Sequence, residues 1–330
     1  MCGSRNSLFC SGSRGRAVTG CRRISLLMPD PTEPVIIATY CLALGIFALT
    51  ATVRSVFGKK SEPLAEVMIA PEVGDPLDSP ALVSPPNSEE RVPTYFYRPL
   101  DLLGIGFVFL GFASLVVHSL GVTESGKGAA LVAENLVSSI VFQFITAGIV
   151  IGFVIARIRP VAWLGLRWRK WPYVFLIAPG AVLFVWGILT GYQVSGVMQW
   201  IESLGVETVQ DTVKLLQTST DPQILGLMIF AAVVAAPICE EIVFRGYLYS
   251  ASKRFTGPWV AGICSALVFS ATHGSLAPLL PLFILGCVLA FIYQKTGSLW
   301  APIAVHFCFN GATVALQMAA RLHWVELPTP

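Results

Sequence analysis

Pro237-Ile238-Cys239-Glu240-Glu241-Ile242-Val243-Phe244-Arg245-Gly246 lies in the middle of an apolar run that extends from about Gln223 to Ser252. A run of that length can cross a bilayer, which takes about 20 apolar residues in a helix. Ionisable groups inside such a span are costly, at ~2.5–3.5 kcal/mol each on insertion scales, and persist when they pair or perform chemistry. Glu241 and Arg245 are four residues apart, so they share one helix face and can pair, with the carboxylate in the favoured N-terminal position. Glu240 is turned about 100° from its neighbour and is left without that partner. An unpaired carboxylate in an apolar setting is the kind of group that serves as a general base. The plain alternative is a pair of glutamates at a helix end near the headgroups.

The rest of the chain is equally apolar. Its 330 residues are 55% hydrophobic and 12% charged, about half the charged share of a soluble domain, so much of its surface faces something other than water. Apolar runs near 35–53, 102–122, 136–155, 173–192, 223–252, 259–273, 279–294 and 299–322 predict an all-α polytopic membrane protein. It should have about eight (7–8) transmembrane helices, with the helical core that carries the costly ionisable clusters in the C-terminal half. The net charge of +3 comes without a basic stripe, which argues against nucleic acid as a partner. None of the eight cysteines forms a CxxC pair, and those in apolar runs read as small helix fillers.

Residues 1–34 read as a disordered tail, with Arg5, Arg14, Arg16, Arg22 and Arg23 among Ser and Gly and no apolar core of a signal peptide. Residues 35–53 read as an isolated transmembrane helix. In 61–97, Pro63, Pro71, Pro76, Pro80, Pro85, Pro86 and Pro93 alternate with Ser and acids, a flexible linker that cannot build a packed core. Residues 98–330 form the bundle. Basic clusters at 54–60, 157–170 and 253–254 face loops at 123–135 and 193–221 that are neutral or acidic, which orients the former toward the cytoplasm. The N-terminus then falls outside, against its five arginines. A start at Met28 removes that conflict, so residues 1–27 are read as a mis-assigned start. The 193–221 segment is expected to contain a surface helix.

Two further clusters follow the first. His273 closes the apolar helix Phe269-Ser-Ala-Thr-His273, and His306 and Asn310 share one face of the last helix by their i, i+4 spacing. Each has a bland reading: a hydrogen-bonded core histidine, and an interhelical polar pair. With Arg254, Trp259 and Leu299 as boundary points, a rise of 1.5 Å per residue puts Glu240 and His273 roughly 21 Å deep, His306 about 10 Å and Asn310 about 16 Å. The groups can therefore meet in one layer that opens toward the cytoplasm.

Glu240-Glu241-x-x-x-Arg245, Phe269-x-x-x-His273 and His306-x-x-x-Asn310 occur in this order on successive helical segments. The trio resembles the signature of the CAAX-protease and bacteriocin-processing (CPBP) family of intramembrane proteases, which includes type II CAAX prenyl endopeptidases. The resemblance covers about 222–322. It implies that Glu240 activates a water, that His273 holds the water or moves its proton, and that His306 and Asn310 stabilise the oxyanion. Glu241, Arg245 and Phe269 would be support. The chain lacks HExxH, so it is not a zincin. A metal-free mechanism is the favoured reading, and zinc held by Glu240, His273 and His306 is the alternative. The implied substrate is a membrane protein or a lipidated, for instance prenylated, peptide in the lipid bilayer of a bacterial-type cytoplasmic membrane. A non-catalytic scaffold or immunity protein is the rival class. A transporter is a weaker rival, because no repeated half is evident.

Overall fold

The computed structural model describes residues 32–57, 91–120, 129–196 and 211–325. The expected tail up to residue 31 and the linker up to residue 90 lie outside them, and residues 32–34 of that tail belong to the first helix. The described chain is helical, in the order α1 (Thr32–Phe57), α2 (Asp101–Leu120), α3 (Ala129–Ile155), a single turn α4 (Pro160–Trp163), α5 (Val174–Val194), α6 (Asp211–Thr218), α7 (Pro222–Thr256), α8 (Pro258–Ala271), α9 (Leu279–Thr296) and α10 (Trp300–Arg321). No strand occurs among the described residues. Among the described residues six helices are long and apolar enough to span a bilayer, and the apolar stretches Asp101–Val116 and Pro258–Ala271 are shorter. The protein is an all-α, multi-pass membrane protein. The surface helix expected in 193–221 is α6, whose Leu216 packs with Ile224 and Met228 of α7.

The 35-residue α7 is the axis. Asp221 caps its start by accepting from the Gln223 amide at 2.8 Å, with Pro222 in the first turn, where a missing N–H costs nothing. Its end is Gly257, whose φ of 88° suits glycine, and Pro258 then opens α8. Residues 243–253 are all buried, because helices crowd this half of α7 from several sides. Twice α7 widens to π-helical geometry, at Ala231–Ala235 and at Glu241–Tyr249. Such turns are rare and concentrate at functional sites.

The broadest helix contact is between α8 and α9, and Gly286 sets its closeness. A Cβ there would lie 2.9 Å from the Ala266 Cβ and 3.3 Å from the Phe269 ring. α5 covers the other side of α9 and α10 through Ala178, Val182 and Val185.

Two expectations are corrected. α1 is not isolated: Ile36, Tyr40, Ala43 and Phe47 form a buried stripe that packs on α8 and on the end of α7, and the Cys264 thiol meets the Ala43 carbonyl at 3.4 Å. A linker's composition reports its own flexibility, not the distance between the segments it joins. The packed chain also resumes before residue 97. Val92, Phe96 and Tyr97 are buried, the Lys253 amine donates to the Val92 carbonyl at 3.2 Å, and Arg91 donates to the Lys295 carbonyl. A short aromatic cluster after the last prolines outweighs the linker composition before it.

Gly286→Val should lower thermal stability in detergent by about 1–3 kcal/mol, the cost of overpacking. Gly262→Ala, whose added Cβ would meet its nearest neighbour at 3.7 Å, should leave the unfolding temperature nearly unchanged.

Candidate functional site

The site is built around the Glu241 carboxylate, which has no exposed surface. Its Oε1 accepts from Arg245 Nη1 at 2.8 Å and faces His306 Nδ1 at 2.9 Å. Arg245, equally buried, also donates from Nη2 to the Gly286 carbonyl at 3.2 Å. The three groups tie α7 to α9 and α10. Phe269 of α8 completes the joint: the Arg245 guanidinium lies 4.5 Å over its ring, and its ring meets those of Phe244, His273 and His306 edge-on at 5.3, 5.4 and 5.8 Å. All three sequence clusters therefore touch one aromatic ring.

Glu240 faces the other way. Its side chain keeps 20% of its surface exposed, and its Oε2 lies 3.9 Å from His306 Nε2, too far for a hydrogen bond but close in charge terms. A carboxylate accepts and does not donate, so the imidazole N–H at Nδ1 belongs to the Glu241 contact, and Nε2 is the atom left toward Glu240. His273 repeats this division. Its Nδ1 lies 3.1 Å from the Phe269 carbonyl, which again leaves Nε2 outward on an exposed ring.

Glu240 and His273 line the same cavity, of about 380 Å³, against Phe112 and Leu115 of α2 and Ser139, Gln143 and Thr146 of α3. Thr146 and Thr272 spend their hydroxyls on the Phe142 and Phe269 carbonyls of their own helices. The Gln143 Oε1 is buried without a hydrogen-bond partner. No spacing pattern in the sequence marks Gln143; the available signal is a carboxamide within the apolar run 136–155. The cavity adjoins an apolar cleft of about 870 Å³ between α2 and α3, and both are lined by Phe112, Leu115, Phe142 and Thr146.

Asn310 is placed differently. Its Nδ2 donates to the Ala232 carbonyl at 2.8 Å, in the first π-helical segment. In an i→i+5 pattern that carbonyl's partner would be residue 237, a proline without an N–H. Asn310 supplies the missing donor, so at least one of its N–H groups holds the helix. Counting along helices set His306 about 11 Å from Glu240 in depth; their long side chains reach to within 3.9 Å of each other.

Among the described residues no group of three or more His, Cys, Asp or Glu is arranged to hold a metal ion. Glu240 and His306 Nε2 approach each other, but an open zinc site needs three protein donors. In this arrangement His273 does not complete the set.

These features define a polytopic membrane protein with a buried Glu–Arg–His cluster beneath a carboxylate–imidazole cavity. Residues 222–312 match the family described as type II CAAX prenyl endopeptidase Rce1-like. The chain is also 33% identical over 104 residues to a Bacillus subtilis (strain 168) protein named "Putative membrane peptidase YdiL", a match spanning 32% of this chain and 43% of that protein. No solved structure matches the chain. The motif-bearing segment is thus similar to type II CAAX prenyl endopeptidases of the Rce1-like family and to a membrane peptidase.

Arg245→Ala should destabilise the fold by about 3–5 kcal/mol, because it leaves a buried charge without its partner. The double variant Glu241→Gln/Arg245→Met should recover part of that loss in thermal unfolding, since it removes both charges together.

Proposed function

We propose that this protein is an intramembrane endopeptidase that hydrolyses a peptide bond of a membrane-associated substrate. The observation that carries the reading is the shared cavity of Glu240 and His273, with His306 Nε2 directly behind Glu240. Glu240 takes a proton from a water while the water oxygen attacks the scissile carbonyl. His273 Nε2 holds that water, and the proton passes from Glu240 to the leaving amine as the C–N bond breaks. His306, fixed at Nδ1 by Glu241, stabilises the charge that develops by donating from Nε2 when both ring nitrogens carry hydrogen, a placement most effective in a water-poor site. The second N–H of Asn310 is available to assist.

Gln143 suits the same reading. A peptide group withdrawn from water must keep both its N–H and its C=O paired, and a carboxamide offers one donor set and one acceptor to match. The adjoining cleft between α2 and α3 would receive the apolar part of the substrate, a lipid chain or a hydrophobic segment, from the bilayer side. The arginines of 157–170 orient the site toward the cytoplasm by the positive-inside rule, as in a bacterial-type membrane. We assign 91–330 as the functional bundle and 222–322 as its catalytic core.

Purified protein in detergent is to be assayed on a fluorogenic prenylated peptide and on a library of membrane peptides. Glu240→Gln and His273→Ala should each lower kcat by at least about 100-fold while the unfolding temperature holds. Wild-type activity abolished by a chelator and restored by zinc would overturn the metal-free mechanism, and a folded wild type that cleaves nothing would favour a scaffold role. Gln143→Leu should raise KM by about tenfold, the weight of a hydrogen bond or two, with kcat less affected.

A further inference from the structure

The two adjacent carboxylates do different work only because α7 is held in one rotational register. Glu240 and Glu241 are about 100° apart, so a slip of one residue would turn one of them into the other's direction and carry the other away from its partners. The π-helical segment Glu241–Tyr249 is where such a slip would occur, since losing its extra residue returns the helix to the commoner α pattern.

Three consecutive carbonyls in this segment accept side-chain hydrogen bonds. Ser265 Oγ of α8 donates to Phe244 O at 2.9 Å, and Ser250 Oγ donates to Arg245 O at 3.0 Å. Gly246 O receives two donors: Trp163 Nε1 at 2.9 Å and Tyr97 Oη at 3.1 Å. The indole N–H also lies 3.0 Å from the Tyr97 oxygen, so the three groups form a closed triangle. Trp163 and Tyr97 are buried, with 1% and 3% exposure. The Trp163 segment is itself anchored, by Leu299 N donating to Leu164 O at 2.9 Å and Tyr293 Oη to Trp163 O at 3.4 Å. Gly246 permits the approach: a Cβ there would stand 2.9 Å from Leu164 Cδ2.

We propose that Trp163 and Tyr97 are positioning residues that clamp the Gly246 carbonyl and so lock the π-helical register that turns Glu240 into the cavity and Glu241 toward Arg245 and His306. Both lie outside the family-matched segment 222–312. The clamp concerns the same site as the proposed hydrolysis, but it is a property of the fold and is read without any substrate.

The test is site-resolved alkylation by a small maleimide, with modified peptides identified by fragmentation mass spectrometry. Glu240→Cys and Glu241→Cys reporters are each placed in the full chain, alone and combined with Tyr97→Phe/Trp163→Phe, which keep both rings and remove both donors. With the clamp intact, position 240 should react much faster than position 241. Without it the ratio should fall by about tenfold, the scale set by one or two lost hydrogen bonds, while exposed Cys41 of α1 reacts at its original rate. Where Glu241→Cys fails to fold, the fall in rate at position 240 relative to Cys41 is the readout, and Tyr97→Phe alone should give a smaller fall. An unchanged ratio in a folded double-phenylalanine variant would overturn the clamp, whatever the protein does or does not cleave.

Discussion

A fully buried carboxylate and a fully buried guanidinium, 2.8 Å apart, set the terms for the rest of the bundle. Charges removed from water are tolerable only when each finds partners, and the partners of Glu241 and Arg245 come from other helices. His306 arrives from α10, the Gly286 carbonyl from α9 and the Phe269 face from α8. The need to satisfy this pair therefore fixes how four helices meet. Because Glu241 is committed to it, Glu240 is the carboxylate available to the cavity.

The same logic of partner-finding extends along α7. Pro237 leaves a carbonyl without a backbone donor and Asn310 fills the gap; the Glu241–Tyr249 widening exposes further carbonyls, and Ser265, Ser250, Trp163 and Tyr97 take them up. In a lipid-embedded helix these compensations matter more than in water, since no solvent can stand in for a missing partner. Two irregular stretches thus bracket the short α-helical piece Ala236–Glu240, and side chains from both halves of the chain hold them.

The halves contribute unequally. The C-terminal half carries the ionisable groups and matches a known family over 222–312. The N-terminal half carries no such signature, yet α2 and α3 form the opposite wall of the cavity and most of the adjoining cleft, to which α7 adds Tyr247. Segment 91–97 and the turn at Trp163 brace α7 from below.

What was legible in the sequence was what depends on spacing and cost. Apolar run lengths predicted the helices, the i, i+4 relation predicted the Glu241–Arg245 pair, and the expense of charge in lipid marked Glu240, His273 and His306. Gln143, Tyr97 and Trp163 left no such trace, because a carboxamide, a phenol and an indole are unremarkable in an apolar run until a neighbour is placed against them. The assignment of 91–97 to the linker failed for the same reason. Composition alone determined that this chain lives in a bilayer and where its costly groups lie along it. Which carboxylate faces a cavity, which imidazole nitrogen is left over, and which carbonyl Asn310 serves were decided only when helices far apart in sequence came into contact. Hydrogen bonds and ion pairs act over a few ångströms in space and take no account of distance along the chain.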